Sequence, residues 1–167
     1  HNLFFDESFE THAKEIYLDP KWPIAPLFYV CAPSITDQTV APENNENLFF
    51  LIPIAPDLQD NEELREKYFN MIIERFEKRT GNEIKSNIVY KRSYCISDFK
   101  SDYNAFKGNA YGLANTLKQT AIFKPSLKNK KLNNMYYTGQ LTVPGPGVPP
   151  SIISGEVVAN QIIKDFK

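Results

Sequence analysis

The residues best placed to do chemistry run from Tyr136 to Gly155, in the order Tyr136-Tyr137-Thr138-Gly139-Gln140-Leu141-Thr142-Val143-Pro144-Gly145-Pro146-Gly147-Val148-Pro149-Pro150-Ser151-Ile152-Ile153-Ser154-Gly155. Four of the seven glycines lie here, and Pro144, Pro146, Pro149 and Pro150 fix φ and remove four N–H donors. Such a run suits a strand ending in glycine, a rigid loop and then a helix that begins near Pro149 or Pro150, with Ser151 close behind. The helix start offers N–H groups and the positive end of the dipole beside the bend at Gly145 and Gly147, where an anion or an electron-rich ring edge could dock. The same pattern would also serve as a tight connection between a core strand and a core helix, with no ligand at all.

The elements that must position this loop are legible on either side of it. Ile152, Val158, Ile162 and Phe166 recur at helical spacing, broadened by Ile153, Val157 and Ile163, which predicts a helix buried over a wide arc. His1 to Phe5 reads as a strand, and Glu7 to Tyr17 as a short helix with Phe9, Ala13, Ile16 and Tyr17 inward. His12 falls on the polar face of that helix, with no cysteine or second histidine at ligand spacing, so it is expected to be solvated and no metal site is expected. Leu27 to Ala32 and Asn47 to Ile54 read as neighbouring strands, the second apolar on both faces and therefore deep in a sheet. Asp37, in the loop between them, reads as an Asx turn former.

Asp60-Asn61-Glu62-Glu63 is a capping pattern, followed by Leu64, Tyr68, Met71, Ile72 and Phe76 at helical spacing and terminated by Gly81. Asn87 to Cys95 alternates as a strand, and Ser97-Asp98-Phe99 caps a short helix through Tyr103 and Phe106. Between Gly108 and Thr120, two glycines with Asn109, Tyr111 and Asn115 make a polar island where backbone can approach another group closely. The expected fold class is α+β, a mixed sheet with packed helices and strands near Phe28, Phe50, Val89 and Tyr137.

Nineteen basic and twenty acidic residues leave a net charge of -1, so no global field attracts nucleic acid or an anionic membrane. The Lys128-Asn129-Lys130-Lys131 cluster is a solvated loop on this reading. Cys31 and Cys95 sit in apolar or aromatic segments and read as reduced thiols, which fits a cytoplasmic location. No run of eighteen apolar residues occurs. The chain opens at His1, and the opening reads as a chain cut within a domain.

The Tyr136–Gly155 run resembles the C-terminal flavin-binding signature of the bacterial phytoene desaturase family, FAD-dependent carotenoid desaturases within the amine-oxidase-like flavoprotein group. Phe28 to Asp37, with Val40 to Glu43 and Asn47 to Pro56, is similar to the family's central strand pair. Gly108-Asn109-Ala110-Tyr111-Gly112-Leu113-Ala114-Asn115-Thr116 is similar to the turn ahead of the signature. The resemblance implies a C-terminal fragment of a two-domain FAD-dependent oxidoreductase, with 1–107 in the substrate-binding domain and 108–167 in the FAD-binding domain. The family's N-terminal GxGxxG unit has no counterpart in the chain.

Position by position, the resemblance assigns Gly139 and Gln140 to the pyrophosphate and ribityl side of FAD. It assigns Gly145, Gly147, Val148 and Pro149 to the isoalloxazine edge. Val143 stands where many relatives have histidine, which removes that proton-transfer role here. The implied substrate is a long apolar polyene, with peripheral membrane contact at the inner face of the membrane and no nucleic acid. No general base is identified, and the fragment alone is expected to hold no FAD and to self-associate. Polyene isomerases, saturases, amine oxidases or a non-catalytic module are the alternatives. An aromatic cage in place of a long apolar tunnel would mark the amine oxidase.

Overall fold

The computed structural model describes residues 1–114 and 116–167, in two compact units, His1–Phe99 and Lys100–Lys167. In the first unit a three-stranded antiparallel sheet is formed by β1 (Asn2–Phe4), β2 (Phe28–Cys31) and β3 (Phe49–Leu51), in the order β1-β2-β3. Val30 faces Asn2 on one side and Phe50 on the other, so the strands expected at Phe28 and Phe50 are neighbours. The central strand is β2. The second strand of the sequence reading is instead an edge, with Phe49 about half exposed (51%), because among the described residues no further strand pairs with it.

Helix α1 (Phe9–Tyr17) begins at Ser8, whose side chain accepts from the Thr11 N–H, as capping chemistry requires. Its buried residues are His12 and Glu15, while Phe9 and Tyr17 are exposed, which reverses the expected orientation. His12 is only 3% exposed. Its Nε2–H donates to the Pro53 carbonyl at 2.8 Å, and the Leu27 N–H donates to Nδ1 at 3.0 Å. Two loop backbone groups outside regular pairing thus use both ring nitrogens, and a neutral imidazole serves them where the sequence pattern suggested solvent. Glu15 similarly accepts from the Ile24 N–H.

Helix α2 (Glu62–Thr80) follows the sequence expectation in detail. Asn61 caps it by accepting from the Leu64 N–H at 2.9 Å, and Gly81 ends it in the left-handed conformation at φ 73°. Tyr68, Ile72 and Ile73 are its buried residues. Ile72 joins Phe28 and Val30 in the core, with Phe4, Phe50 and Phe76 packed against them. The Phe4 and Phe28 rings stack at 4.4 Å, and Phe76 meets Phe50 edge-on at 5.3 Å, arrangements that add to area burial.

Asn87 to Cys95 is not a strand: a short 3-10 turn at Lys85–Asn87 leads into irregular chain, with Val89 84% exposed. The alternation there reflects no sheet edge. Beyond it, Asp60 anchors the start of α3 (Ile96–Tyr103). The Asp60 carboxylate accepts from Arg65 Nε at 2.8 Å, from Arg65 Nη2 at 2.7 Å, and from both the Ser97 N–H and hydroxyl. Asp37 forms the expected Asx turn, accepting from the Thr39 N–H at 2.9 Å. Cys31 and Cys95 are free thiols.

In the second unit, chain near Tyr137 forms an isolated bridge, Lys128 to Tyr136, in place of a strand. The Tyr137 N–H donates to the Leu127 carbonyl at 2.8 Å and the Asn129 N–H to that of Met135 at 2.9 Å, a short hairpin closed at its base. The long helix α4 (Val148–Asp165) buries only Ser154 and Val158. Ile152 is 70% and Phe166 68% exposed, so the wide apolar arc expected to be buried is open over most of its surface. The pattern announces a buried helix, and the described residues of this unit leave most of that face uncovered. Among the described residues no helix is long and apolar enough to cross a membrane.

Candidate functional site

The second unit brings the turn after Gly108, the Gly139 turn and the start of α4 around one open groove of about 530 Å³, lined by Ala110, Tyr111, Gln140, Gly147, Val148, Ser151 and Ile152. Residues thirty to forty positions apart in sequence meet there. Gly112, at φ 77°, holds a left-handed conformation that L side chains rarely adopt, and a Cβ on it would run into the Leu141 side chain. The Asn109 side chain accepts from the Gly112 N–H and closes the turn that presents Ala110 and Tyr111. Asn115, part of the same sequence motif, lies outside the described residues.

The Pro/Gly loop owes its shape to backbone geometry. Gly139, Gly145 and Gly147 have φ of 102°, 139° and 116°, where L side chains are strained. A Cβ on Gly147 would also meet Pro150 Cδ at 3.3 Å, and one on Gly145 would meet Lys124 Cε at 3.4 Å, whereas one on Gly139 would find open space. These glycines are therefore required by the fold itself, before any ligand is considered. The Val143–Pro144 peptide bond is cis.

Of the six residues assigned from the sequence, Gln140, Gly147 and Val148 line the groove. Gly139 precedes Gln140 in the turn, Gly145 is buried, and Pro149 is an exposed residue in the first turn of α4. The helix starts at Val148, with Gly147 as its N-cap, earlier than the prolines suggested. Prolines therefore occupy two of its first three positions, and Val148 is the one of the three that carries an N–H. The Ser151 N–H already donates to the Gly147 carbonyl at 3.0 Å. The donor array expected at the helix end shrinks to a single N–H in the first three positions, while the dipole remains.

Sequence reasoning missed what holds the turn. Ser154, on the second turn of α4 and completely buried, accepts from the Gly139 N–H at 3.0 Å and the Thr138 hydroxyl at 3.2 Å, and lies 2.8 Å from Thr142 Oγ1. A buried small hydroxyl among isoleucines was the available signal. Near the far end of the helix, the Asp165 carboxylate accepts from Lys128, Tyr136 and Gln161, and these bonds bring its pKa down to about 2.

No protein-family model matches the chain. It is 41% identical over 166 residues to carotenoid 3,4-desaturase of Haloarcula japonica, an alignment covering 99% of this chain and 34% of the relative. It is 30% identical over 167 residues to 4,4'-diapolycopen-4-al dehydrogenase of Metabacillus indicus, covering the whole chain and 34% of that protein. The 4,4'-diapophytoene desaturase (4,4'-diaponeurosporene-forming) of Staphylococcus aureus strain Newman is 29% identical over 180 residues, again across the whole chain and 34% of its own length. By sequence the chain belongs to the carotenoid desaturase family, and it spans about a third of the length of the curated relatives it matches.

Proposed function

We propose that this chain is the C-terminal third of an FAD-dependent carotenoid desaturase, an oxidoreductase that introduces C=C bonds into an apolar polyene. The observation that carries the reading is the 41% identity, along 99% of the chain, to a carotenoid 3,4-desaturase. The groove supports it. Val148, Ile152 and the Tyr111 ring supply apolar surface, Gly147 bares backbone, and Gln140 and Ser151 supply a few polar groups, a lining that suits a flat ring rimmed with heteroatoms. None of these lining residues is cationic, so nothing among them would neutralise a pyrophosphate. The fit is to the ring half of the cofactor.

On this reading residues 1–107 belong to the substrate-binding domain and 108–167 to the FAD-binding domain. Gly147, Val148 and Pro149 flank the ring edge, Gly145 shapes the loop behind them, and Gly139 and Gln140 face the ribityl side. When bound, the flavin would supply hydride acceptance, H− leaving one carbon of a saturated carbon–carbon unit of the polyene while H+ leaves the neighbouring carbon to solvent. The chain's own part is to hold and polarise. The α4 N-terminus and the Val148 N–H favour negative charge on the ring, the Gln140 amide can donate to a ring carbonyl, and Val148 and Ile152 offer it apolar surface. The groove lining contains no carboxylate and no imidazole, so no general base is assigned.

Contact with the periphery of a membrane belongs to the same reading, since an apolar polyene dissolves in lipid. The net charge of -1 conceals a segregation: between Asp102 and Glu156 there are six lysines and no carboxylate. Lys107, Lys118, Lys130 and Lys131 are exposed, as are Phe106, Leu117, Ile122 and Phe123. Basic and apolar side chains together suit an anionic lipid surface.

The test is Gly147→Val in the complete protein, assayed with FAD and candidate polyenes. Strain at φ 116° and the Pro150 contact should distort the loop, with loss of bound flavin and of the red-shifted polyene product. Unchanged flavin content with unchanged turnover overturns the placement. A product whose terminal aldehyde is oxidised, with no lengthened chromophore, would favour the chemistry named for the Metabacillus indicus relative.

A further inference from the structure

We infer that Ser154 is a positioning residue for the groove: its hydroxyl ties the Thr138–Thr142 turn to α4 and so sets the spacing between the Gln140 wall and the Val148–Ile152 wall. The inference rests on the flavin reading only for what occupies the groove.

The hydrogen-bond geometry fixes a single proton order. The Gly139 carbonyl can only accept, and Thr142 Oγ1 lies 3.0 Å from it, so the Thr142 hydroxyl donates there. Thr142 Oγ1 must then accept across the 2.8 Å contact, and Ser154 donates to it. Ser154 in turn accepts from the Gly139 N–H and from the Thr138 hydroxyl. A hydroxyl has one donor and two acceptor sites, and Ser154 uses all three. Thr142 is as buried as Ser154, at 1% exposure, so water does not compete with the network.

Serine inside a helix commonly turns its hydroxyl back to its own helix's carbonyls, and here it is directed out of the helix instead. The bonds join the segment that carries Gln140 to the helix that carries Val148, Ser151 and Ile152. Neither Ser154 nor Thr142 lines the groove. Their effect on a bound ring is therefore exerted through the position of its walls.

Three variants of the complete protein test this: Ser154→Ala, Thr142→Val, which keeps the shape and removes the hydroxyl, and Thr142→Ser, which keeps the hydroxyl. Amide hydrogen exchange at Gly139, flavin Kd, the visible flavin band shape and KM for the polyene are measured together. Ser154→Ala and Thr142→Val should each speed Gly139 exchange about ten-fold and raise the flavin Kd about ten-fold, with an altered band shape and an unmoved KM. Thr142→Ser should restore all of these. A purely structural role would lower Tm and leave the band shape alone.

Folded Ser154→Ala protein with unchanged Gly139 exchange overturns the inference. So does faster exchange with unchanged flavin Kd and spectrum. If Ser154→Ala does not fold, the Thr142→Val and Thr142→Ser pair decides by the same readouts. A wild-type complete protein without flavin would instead refute the proposed function, and the exchange measurement alone would then decide whether Ser154 holds the turn.

Discussion

At the scale of single residues, Asp60 illustrates how much one buried carboxylate can organise. Its side chain is 3% exposed, and that of Arg65 is 13% exposed. The Arg65 guanidinium holds its pKa well below the usual carboxylate range, helped by the Ser97 N–H and hydroxyl and opposed by burial. A depressed folded-state pKa means stability that is fully present above the unfolded value and lost as pH falls through the folded one. Asp60→Asn should therefore destabilise the protein by about 3 kcal/mol near neutral pH. The deficit should shrink progressively below about pH 4, where wild-type Asp60 loses the same advantage. Urea unfolding of both proteins at pH 7 and at pH 3 checks this, and an equal deficit at both values would contradict it. His12 makes the complementary point, since its burial follows from two backbone groups that no periodicity displays.

At the scale of elements, α2 and α4 differ in what holds them. Helix α2 has a side-chain N-cap, a glycine C-cap, acidic residues Glu62 and Glu63 at its start and basic residues Lys78 and Arg79 at its end. Asn61→Ala should cost about 1 kcal/mol by orphaning the Leu64 N–H, read as a lowered denaturant midpoint with an unchanged m-value. Helix α4 has no side-chain cap at Gly147 and few buried residues, and it is held through Ser154 and Val158. Its register is set by polar contacts to the Gly139 turn more than by its isoleucines. The sheet shows a similar contrast, because β2 is covered by its neighbours while β3 keeps one open edge.

At the scale of the whole molecule, the apolar residues left uncovered on α4 set its behaviour in solution. Ile152, Ile153, Val157, Ile162, Ile163 and Phe166 are all between 37% and 70% exposed. Contiguous apolar patches above roughly 400 Å² are seldom left open on soluble monomers. The purified 167-residue chain is therefore expected to self-associate as its concentration rises and to carry no stoichiometric FAD. The single amide at the start of α4 and a dipole contribution of about 0.3 to 1 kcal/mol are too weak to retain a dinucleotide. Sedimentation velocity across a concentration series, combined with the visible spectrum, decides it. A yellow monomer with one flavin per chain would show the groove to be a complete site.

Local chemistry determined what the amino-acid order could display by itself. The caps of α2, the Asx turn at Asp37 and the Pro/Gly run ahead of α4 each depend on residues adjacent or a few positions apart. The motif resemblance belongs here too, since it compares linear order, and the identities to carotenoid desaturases agree with it. Tertiary structure alone decided that His12 is buried, that β3 lies at an edge, that the alternating stretch at Val89 is irregular chain, and that most of the apolar arc of α4 is open. It also decided that Ala110 and Tyr111 share a groove with Gln140 and Val148, and that Ser154 locks the Gly139 turn. Periodicity records which side chains avoid water; which partner covers them, and which backbone group needs a hydrogen bond, depends on distant chain.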